Sequence, residues 1–366
     1  QTGTMSAALG GIVGIFEMPN TNPLTTTPEA LEHKIKRGTE TAYTDFAYYF
    51  GGTFENSKNL PSWEKLDGVC GIKIFMGAST GNLLSATDEE VEAVVANGNR
   101  VIAVHAEDEF LMNENKKTIL KDSNDVGMHC KWRDVNSSLN ATKRVVSLAK
   151  KHNRHVHVLH ITTAEEMDYL RNHKDTATVE VLPNHLTFHA PDCYEELGTL
   201  AQQNPPIREK HHQDALWQAI NDGTVDIVAS DHAPHTLEEK SGTYPNTPSG
   251  TPGVQTLLPV MLNHAANGKL SYERVVELMA YGPIKVHKLK NKCLISEDYD
   301  ADFTIVDPKM SHTISNAEQA SKSGWTPYDG KKIIGMPKMT IIRGQMVMRE
   351  GELLDKIIAE PIAFNI

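Results

Sequence analysis

The stretch GIKIFM, residues 71–76, indicates the fold because it is a short apolar run that contains a single lysine. A run of this kind after KLDGVC is typical of a buried strand in a parallel sheet. A bare ammonium is costly to bury without a partner. Lys73 therefore has two explanations. Either its side chain bends out to solvent, or its burial serves a chemical function.

Similar apolar runs recur on both sides of this stretch, with helical patterns between them. The predicted strands are Ile12–Glu17, Asp45–Phe50, Val69–Met76, Val101–His105, His155–His160, Thr178–Leu182 and Val225–Ser230. The predicted helices are Pro28–Arg37, Glu89–Ala96, Asn140–Lys151, Ala164–Asn172, Gln213–Asn221 and Tyr272–Met279. This alternation implies an α/β fold with a parallel sheet. About seven strands are one short of a closed (β/α)8 TIM barrel, so we expect the first barrel strand to be missing.

The pattern changes after residue 295. Short β-like runs with turns follow, among them DYDADFTIVDP at 298–308 and KKIIGMPKMTIIRGQMVMREGEL at 331–353. We therefore predict a catalytic barrel domain over residues 1–295. Residues 296–366 are predicted to form the C-terminal part of a small accessory β domain and a tail.

Composition excludes several classes of partner. The chain has 366 residues and a net charge of -11, which argues against a nucleic-acid-binding surface. No apolar stretch approaches the roughly 20 residues that span a bilayer, so we expect no membrane partner. The cysteines (Cys70, Cys130, Cys193 and Cys293) are scattered and lack zinc-finger spacing. They favour a reduced, cytoplasmic setting.

Polar side chains stand at the carboxyl ends of several predicted strands. They are Lys73 in GIKIFM, His105 ending VIAVH, His160 ending HVHVLH and Asp231 after DIVAS. In a barrel those ends meet on one face, where active sites form. Each has an ordinary alternative: a strand-end histidine is often structural, and such an aspartate is often a cap or turn residue. Together, two imidazoles and a carboxylate suit Zn²⁺ or a similar divalent ion.

A lysine is not normally a metal ligand, because its ammonium has no lone pair. Burial changes this, since loss of hydration favours the neutral amine. A neutral amine can add carbon dioxide and form a carbamate, which is in effect a long carboxylate that can bridge two cations. Lys73 would then be buried for a chemical reason.

Six motifs in the chain resemble, in the same order, those of the amidohydrolase superfamily and, more closely, of the dihydroorotase family. They are EMPNTNP (17–23), GIKIFMGASTG (71–81), VHAEDE (104–109), HVLHITT (157–163), NPPIR (204–208) and SDHAPH (230–235). DADFTIVD (300–307) is similar to the stretch that begins the return to the small β domain. The match covers nearly the whole chain and implies a metal-dependent amidohydrolase barrel.

The resemblance implies a metal role for each of the four strand-end residues. Lys73 would be N-carboxylated and would bridge two zinc ions. His105 and His160 would bind the second metal, and Asp231 would bind the first. A hydroxide held between the metals would attack the amide carbonyl of a cyclic substrate. Asp231 would take its proton and pass it to the leaving nitrogen.

The resemblance also implies residues that recognise the substrate. Asn20 and His235 would grip its carboxylate, and Asn204 would contact the pyrimidine ring. These three suit a substrate that carries a carboxylate on a cyclic amide.

Two loops complete the implied substrate site. Gly250 to Gly253 would lie beside the ring as a loop of backbone donors. Ser79 and Thr80 match, in position, the family's mobile loop that covers the substrate.

The sequence departs from the family pattern in its first strand. The family has a His-x-His pair there, followed by an arginine that holds the substrate carboxylate, and neither is present. By family spacing they would lie just upstream of Gln1, so we expect the sequence to lack an N-terminal segment of the natural protein. Asn184 in PNHL also replaces a frequent second histidine beside His185, and we assign no metal role there.

The function implied is the reversible interconversion of dihydroorotate and N-carbamoyl-L-aspartate in pyrimidine biosynthesis. One alternative is an allantoinase or hydantoinase, which shares the barrel and the metal lysine. Another is a non-catalytic subunit that scaffolds aspartate carbamoyltransferase, for which the absent His-x-His pair is the only support. The resemblance further implies a homodimer or homotetramer and aspartate carbamoyltransferase as a further partner.

Overall fold

The computed structural model describes residues 1–79, 83–121, 123–354 and 358–365, and a parallel sheet forms its centre. The strands of this sheet are β1 (Gly14–Glu17), β2 (Asp45–Gly51), β3 (Val69–Phe75), β4 (Ile102–His105), β5 (Val156–Val158), β6 (Ala177–Val181) and β7 (Ile227–Val228). They lie side by side in sequence order, and each is parallel to the next. Among the described residues, β1 pairs only with β2 and β7 only with β6.

Helices connect these strands and cover the outer face of the sheet. The α-helical segments are α1 (Thr2–Leu9), α2 (Pro28–Thr41), α3 (Leu60–Trp63), α4 (Asp88–Val95), α5 (Glu109–Ile119), α6 (His129–Trp132), α7 (Val135–Lys151), α8 (Ala164–Arg171), α9 (Pro183–Thr187), α10 (Asp192–Leu197), α11 (Lys210–Asn221), α12 (Leu237–Lys240), α13 (Leu257–Ala266), α14 (Tyr272–Val276) and α15 (Gly282–His287). A π-helical turn, Glu277–Tyr281, joins the last two. The curled sheet, with seven strands among the described residues, and its outer helices have the architecture of a (β/α)8-type barrel, and the predicted fold class is confirmed.

Side chains alternate between the two faces of the sheet, as the period of a strand requires. In β3, Ile72 and Ile74 point outward and pack with Val91 and Val94 of α4. Burial of each such side chain contributes about 1.5–3 kcal/mol. Lys73, between the two isoleucines, therefore points into the barrel interior. The alternation that stabilises the outer core thus places the lysine where chemistry is possible.

A second, antiparallel sheet follows the barrel. Its strands are β8 (Phe303–Thr313), β9 (Lys332–Ile342), β10 (Gln345–Arg349) and β11 (Glu352–Leu353), in the order β11-β10-β9-β8. This sheet packs on α13 and α1. The chain then returns to the barrel, where the N–H of Ile362 donates to the carbonyl of Phe46. No helix in the described ranges is both long and apolar enough to cross a membrane.

Candidate active site

The predicted ligands meet at the carboxyl ends of the barrel strands. In the register of β3 and β4, Lys73 is opposite Ala103 and Phe75 is opposite His105. Lys73 and His105 therefore lie on the same interior face of adjacent strands. Their side chains are nearly inaccessible, with 1% of each residue exposed. The structure thus brings two of the predicted ligands together through strand pairing alone.

Lys73 has no carboxylate within ion-pair distance among the described residues. Its Nζ donates to the carbonyl of Ile74 at 3.1 Å and lies 3.9 Å from the centre of the Phe75 ring. Burial holds the pKa of Lys73 well below its ordinary value, while the charges of Asp231 and Glu180 oppose that change. The neutral amine is therefore favoured, as the carbamate hypothesis requires.

The tautomer of His105 is set by a buried ion pair. Its Nε2 lies 2.9 Å from Oε2 of Glu107, and that carboxylate also pairs with the guanidinium of Arg133. Arg133 and the bond from His105 hold the pKa of Glu107 far below its usual range, although burial opposes this. Because an ionised carboxylate only accepts, Nε2 of His105 carries the proton. The Nδ1 lone pair of His105 is therefore left facing the interior.

His160 faces this lone pair. Its Nε2 lies 3.1 Å from Nδ1 of His105, and the two rings meet edge to face. His160 has a positive φ of 39°, which costs a non-glycine residue energy and is common at functional sites. Burial, with smaller contributions from the charges of His105 and Lys73, lowers the pKa of His160 well below its ordinary value. Burial also lowers the pKa of His105, to about 4, so both rings are neutral.

Asp231 follows β7 and completes the predicted set. It also has a positive φ, of 42°. Burial and the nearby carboxyl of Glu180 raise the pKa of Asp231 to about 7, and the charge of Lys73 opposes this shift. A carboxyl that titrates near neutral pH is suited to accept and return a proton during a reaction.

Glu180 is a functional candidate that sequence reasoning missed. It lies in β6, where its Oε1 accepts the main-chain N–H of His160 at 3.3 Å and its Oε2 lies 3.4 Å from Nε2 of His157. Burial raises the pKa of Glu180 to about 8. The sequence did contain an indication of this role, because a glutamate within the apolar strand ATVEV is as unusual as the lysine within GIKIFM.

The residues predicted to recognise the substrate carboxylate stand in loops at the same barrel end. Asn20 lies in the loop after β1 and is half-buried. His235 follows β7, with Nδ1 3.8 Å from Oε2 of Glu239, while its main-chain carbonyl accepts the indole N–H of Trp325 at 2.7 Å. Its Nε2 is buried and has no hydrogen-bond partner in the described part of the chain. That nitrogen is therefore available to a ligand.

Asn204 is buried on the segment between α10 and α11. Its Oδ1 lies 2.9 Å from Nε2 of His129, and Nδ1 of His129 lies 3.3 Å from the hydroxyl of Tyr244. The Asn204 side chain is thus held in one orientation by a buried neighbour. The sequence did not indicate these contacts of His129 with Asn204 and Tyr244.

The glycine loop differs in one respect from the prediction. The N–H of Gly250 donates to the carbonyl of Gln202 at 2.9 Å, and the N–H of Gly253 donates to Nδ1 of His232 at 3.0 Å. Both predicted backbone donors are therefore engaged within the protein. Their glycine character serves close packing instead. A Cβ on Gly250, whose φ is 140°, would lie 2.6 Å from the carbonyl oxygen of Ala233.

The predicted covering loop is described only in part. Ser79 is half-buried just beyond β3, whereas Thr80 lies outside the described residues. The residue before Ser79 is anchored on both sides. The N–H of Ala78 donates to Glu109 at 2.6 Å, and its carbonyl accepts from Arg133 at 2.9 Å.

A cluster of carboxylates at the other end of the sheet is not part of this site. Asp45, Asp300 and Asp302 have oxygens within 4.8 Å of one another, the spacing of a metal site. The ammonium of Lys292 lies among them, at 2.8 Å from both Asp45 and Asp300 and 2.7 Å from Asp302. Because Asp45 begins β2, the cluster lies away from the carboxyl ends of the strands. It is an internal ion-pair network that ties the C-terminal segments to the barrel.

The donor set fits a divalent metal ion. Two imidazole nitrogens converge at 3.1 Å, and one of them, Nδ1 of His105, carries the lone pair that would coordinate a cation. The hydrogen bond from the other ring nitrogen to a carboxylate is the usual support of a zinc-bound histidine. The charge of Lys73 acts on both histidines, and Asp231 in turn acts on Lys73. The set thus matches the second metal of the implied pair, while the histidine pair for the first is not in this sequence.

Comparison with known proteins agrees with this geometry. The sequence profile of the amidohydrolase family matches residues 2–347. The chain belongs to the amidohydrolase family. A dihydroorotase of Methanosarcina acetivorans is 34% identical over 373 residues, which cover 98% of this chain and 78% of that protein. A dihydroorotase of Pyrococcus furiosus is 34% identical over 362 residues, which cover 97% of this chain and 78% of that protein.

Solved structures of similar proteins share the fold of this chain. The L-hydantoinase (dihydropyrimidinase) from Arthrobacter aurescens matches with a TM-score of 0.94 at 28% identity, covering 99% of this chain and 83% of that one. The dihydropyrimidinase from Brevibacillus agri has a TM-score of 0.88 at 23% identity, covers 96% of this chain and 80% of that one, and supports the fold alone. The structural similarity thus covers both the barrel sheet and the antiparallel sheet of this chain.

Proposed function

We propose that the protein is a dihydroorotase, which interconverts dihydroorotate and N-carbamoyl-L-aspartate. The observation that carries the proposal is the meeting of Lys73, His105, His160 and Asp231 at one end of the barrel. Relatives of that name, at 34% identity over nearly the whole chain, support this choice among the cyclic amidohydrolases.

The proposed cofactor is Zn²⁺, with two ions bridged by an N-carboxylated Lys73. Lys73, His105 and His160 would hold the second ion, and Lys73 and Asp231 would contribute to the first. Bound zinc would supply a hydroxide at neutral pH by lowering the pKa of water. The neutral amine of Lys73, favoured by burial, is the form that adds carbon dioxide.

The chain's own residues perform the proton transfers and hold the substrate. Asp231 would accept the proton released during attack on the ring carbonyl and deliver it to the leaving nitrogen. Nε2 of His235, which has no hydrogen-bond partner among the described residues, and Asn20 in the loop after β1 would bind the substrate carboxylate. Asn204 contacts the ring, and Gly250 and Gly253 let the backbone approach it. Ser79 and Thr80 would contact the bound substrate; of the two, only Ser79 lies within the described residues.

Turnover tests the proposal directly. Protein that carries an intact first strand and is loaded with zinc should hydrolyse L-dihydroorotate and, in reverse, cyclise N-carbamoyl-L-aspartate. If the zinc-loaded protein catalysed neither the hydrolysis nor the cyclisation, the proposal would be refuted.

The structural similarity to the L-hydantoinase of Arthrobacter aurescens favours a second candidate, a hydantoinase or allantoinase activity. Parallel assays on dihydroorotate, hydantoin and allantoin separate the two, since only dihydroorotate carries the carboxylate for which His235 is positioned. A non-catalytic scaffold has no need of four converging ligand residues, and zinc bound at stoichiometric amounts would argue against it.

The proposed setting is the cytoplasm, because all four cysteines are free and scattered. A homodimer or homotetramer, with aspartate carbamoyltransferase as a further partner, belongs to the same proposal. Light scattering of the purified protein, with and without added carbamoyltransferase, tests both.

A further inference from the structure

Lys240 is a fully buried lysine that the proposed mechanism does not use. It ends α12, and none of its surface is exposed. Its Nζ donates to three main-chain carbonyls, those of Gln202 at 3.0 Å, Pro248 at 2.9 Å and Gly250 at 3.2 Å. No carboxylate of the described residues forms an ion pair with it. Burial lowers the pKa of Lys240 to about 7. Its three carbonyl acceptors nevertheless match the three donors of an ammonium, which is therefore held by neutral dipoles alone.

These carbonyls come from the two segments that carry Asn204 and the glycine loop of the proposed substrate site. Gln202 lies two residues before Asn204, and Gly250 begins the glycine loop. The Gln202 side chain joins the same segments, because its Nε2 donates to the carbonyl of Thr247 at 2.9 Å. Lys240 therefore stands where the segment of Asn204 and the loop of Gly250 meet.

The charge of Lys240 reaches the predicted carboxylate-binding residue. Gly250 lies against His235, since a Cβ on that glycine would be 3.2 Å from Cδ2 of the histidine ring. Burial and then the charge of Lys240 lower the pKa of His235, while Glu239 opposes this. A buried cation without a counter-ion is costly. An anion bound at His235 would offset that cost.

We propose that Lys240 is a positioning and specificity residue: its ammonium ties the Gly250 loop to the Asn204 segment and supplies the positive charge that favours a substrate carboxylate at His235. This inference rests on the proposed function, because it names the part of dihydroorotate that the charge selects. It differs from a purely structural role, in which the lysine would only hold the loop.

Two matched probes test the charge: L-dihydroorotate and its uncharged carboxamide, which has nearly the same shape. With zinc-loaded Lys240→Met, we expect kcat/KM for dihydroorotate to fall at least about 30-fold, mainly through KM, because a buried charge interaction is lost. For the carboxamide, kcat/KM should fall by only a small fraction of that amount. Equal losses for both probes in a variant with normal zinc content and melting temperature would overturn the charge role.

A control variant and a measurement without substitution complete the test. Lys210→Met removes an exposed lysine that pairs with Asp214, and it should leave the preference for acid over amide unchanged. Should Lys240→Met fail to fold, the wild-type protein and Lys240→Gln decide. Equal turnover of acid and amide by the wild-type protein overturns the inference. A preference for the acid supports it only if Lys240→Gln, which keeps neutral donors at that position, loses the preference. Turnover of neither probe would instead remove the proposed function.

Discussion

Nδ1 of His105 lies 3.1 Å from Nε2 of His160 across the carboxyl ends of β4 and β5. The two rings differ in how they are held. The proton of His105 is fixed on Nε2 by Glu107, whereas Nδ1 of His160 is buried without a hydrogen-bond partner in the described part of the chain. Because Nδ1 of His105 can only accept, Nε2 of His160 donates to it; to present both lone pairs to a cation, His160 would have to shift its proton to Nδ1.

Removal of Lys73 should remove the metal. We expect Lys73→Ala to lose bound zinc and turnover, because the bridging anion is absent, and to recover part of the activity with a small carboxylic acid such as propionate. Elemental analysis and dihydroorotate hydrolysis measure the two effects. Normal metal content in this variant would refute the bridging role.

Asp231 should be needed for turnover and not for the fold. We expect Asp231→Ala to lower kcat by at least about 100-fold, as for a lost general acid and base, with an unchanged circular dichroism spectrum. Asp231→Asn, which keeps the shape of the side chain, is the matched control and should be equally slow. A rate near that of the wild-type protein would exclude Asp231 from proton transfer.

Glu180 should position His160 through its hydrogen-bonding pattern. Thr178 directs its hydroxyl at the carbonyl of Val156 and accepts from Nδ1 of His157 at 2.9 Å, so Nε2 of His157 is an acceptor toward Glu180. Glu180 then donates as a neutral acid, in line with its raised pKa of about 8. A glutamine at this position can accept from the N–H of His160 and donate to Nε2 of His157, as Glu180 does, whereas an alanine can make neither contact.

We therefore expect the zinc affinity of Glu180→Gln to stay within a few-fold of that of the wild-type protein. The zinc affinity of Glu180→Ala should fall about 10- to 100-fold, as for other residues that support metal ligands. Chelator competition measures the affinity, and the visible spectrum of the Co²⁺ form reports ligand geometry. Wild-type zinc affinity in the alanine variant would contradict the positioning role.

The Glu107–Arg133 pair should be important for stability. Glu107→Ala leaves the Arg133 guanidinium buried without its counter-ion, which typically costs about 3–5 kcal/mol. Urea unfolding of the two proteins measures the loss. Glu114→Ala, which removes an exposed pair with Lys117, is the control and should leave the midpoint unchanged. Equal midpoints for Glu107→Ala and wild type would contradict this expectation.

The strands and their order could be predicted because periodicity is local. The run around Lys73 alternates outward isoleucines with an inward lysine, and all seven predicted strands are present, with ends that shift by a few residues. The helix predicted at Tyr272–Met279 is instead α14 followed by a π-helical turn. Such a change in hydrogen-bond register depends on packing and leaves no clear mark in the sequence.

Sequence alone thus determined the barrel, the strand-end residues and the family, because strand period and motif order are properties of the chain itself. Tertiary structure decided which groups touch. It places Glu107 and Arg133 behind His105, puts Glu180 beneath His160, and turns the N–H groups of Gly250 and Gly253 toward protein acceptors. It also surrounds Lys240 with carbonyls from distant segments. These contacts join residues far apart in the chain, and burial sets their pKa values, so one-dimensional spacing could not reveal them.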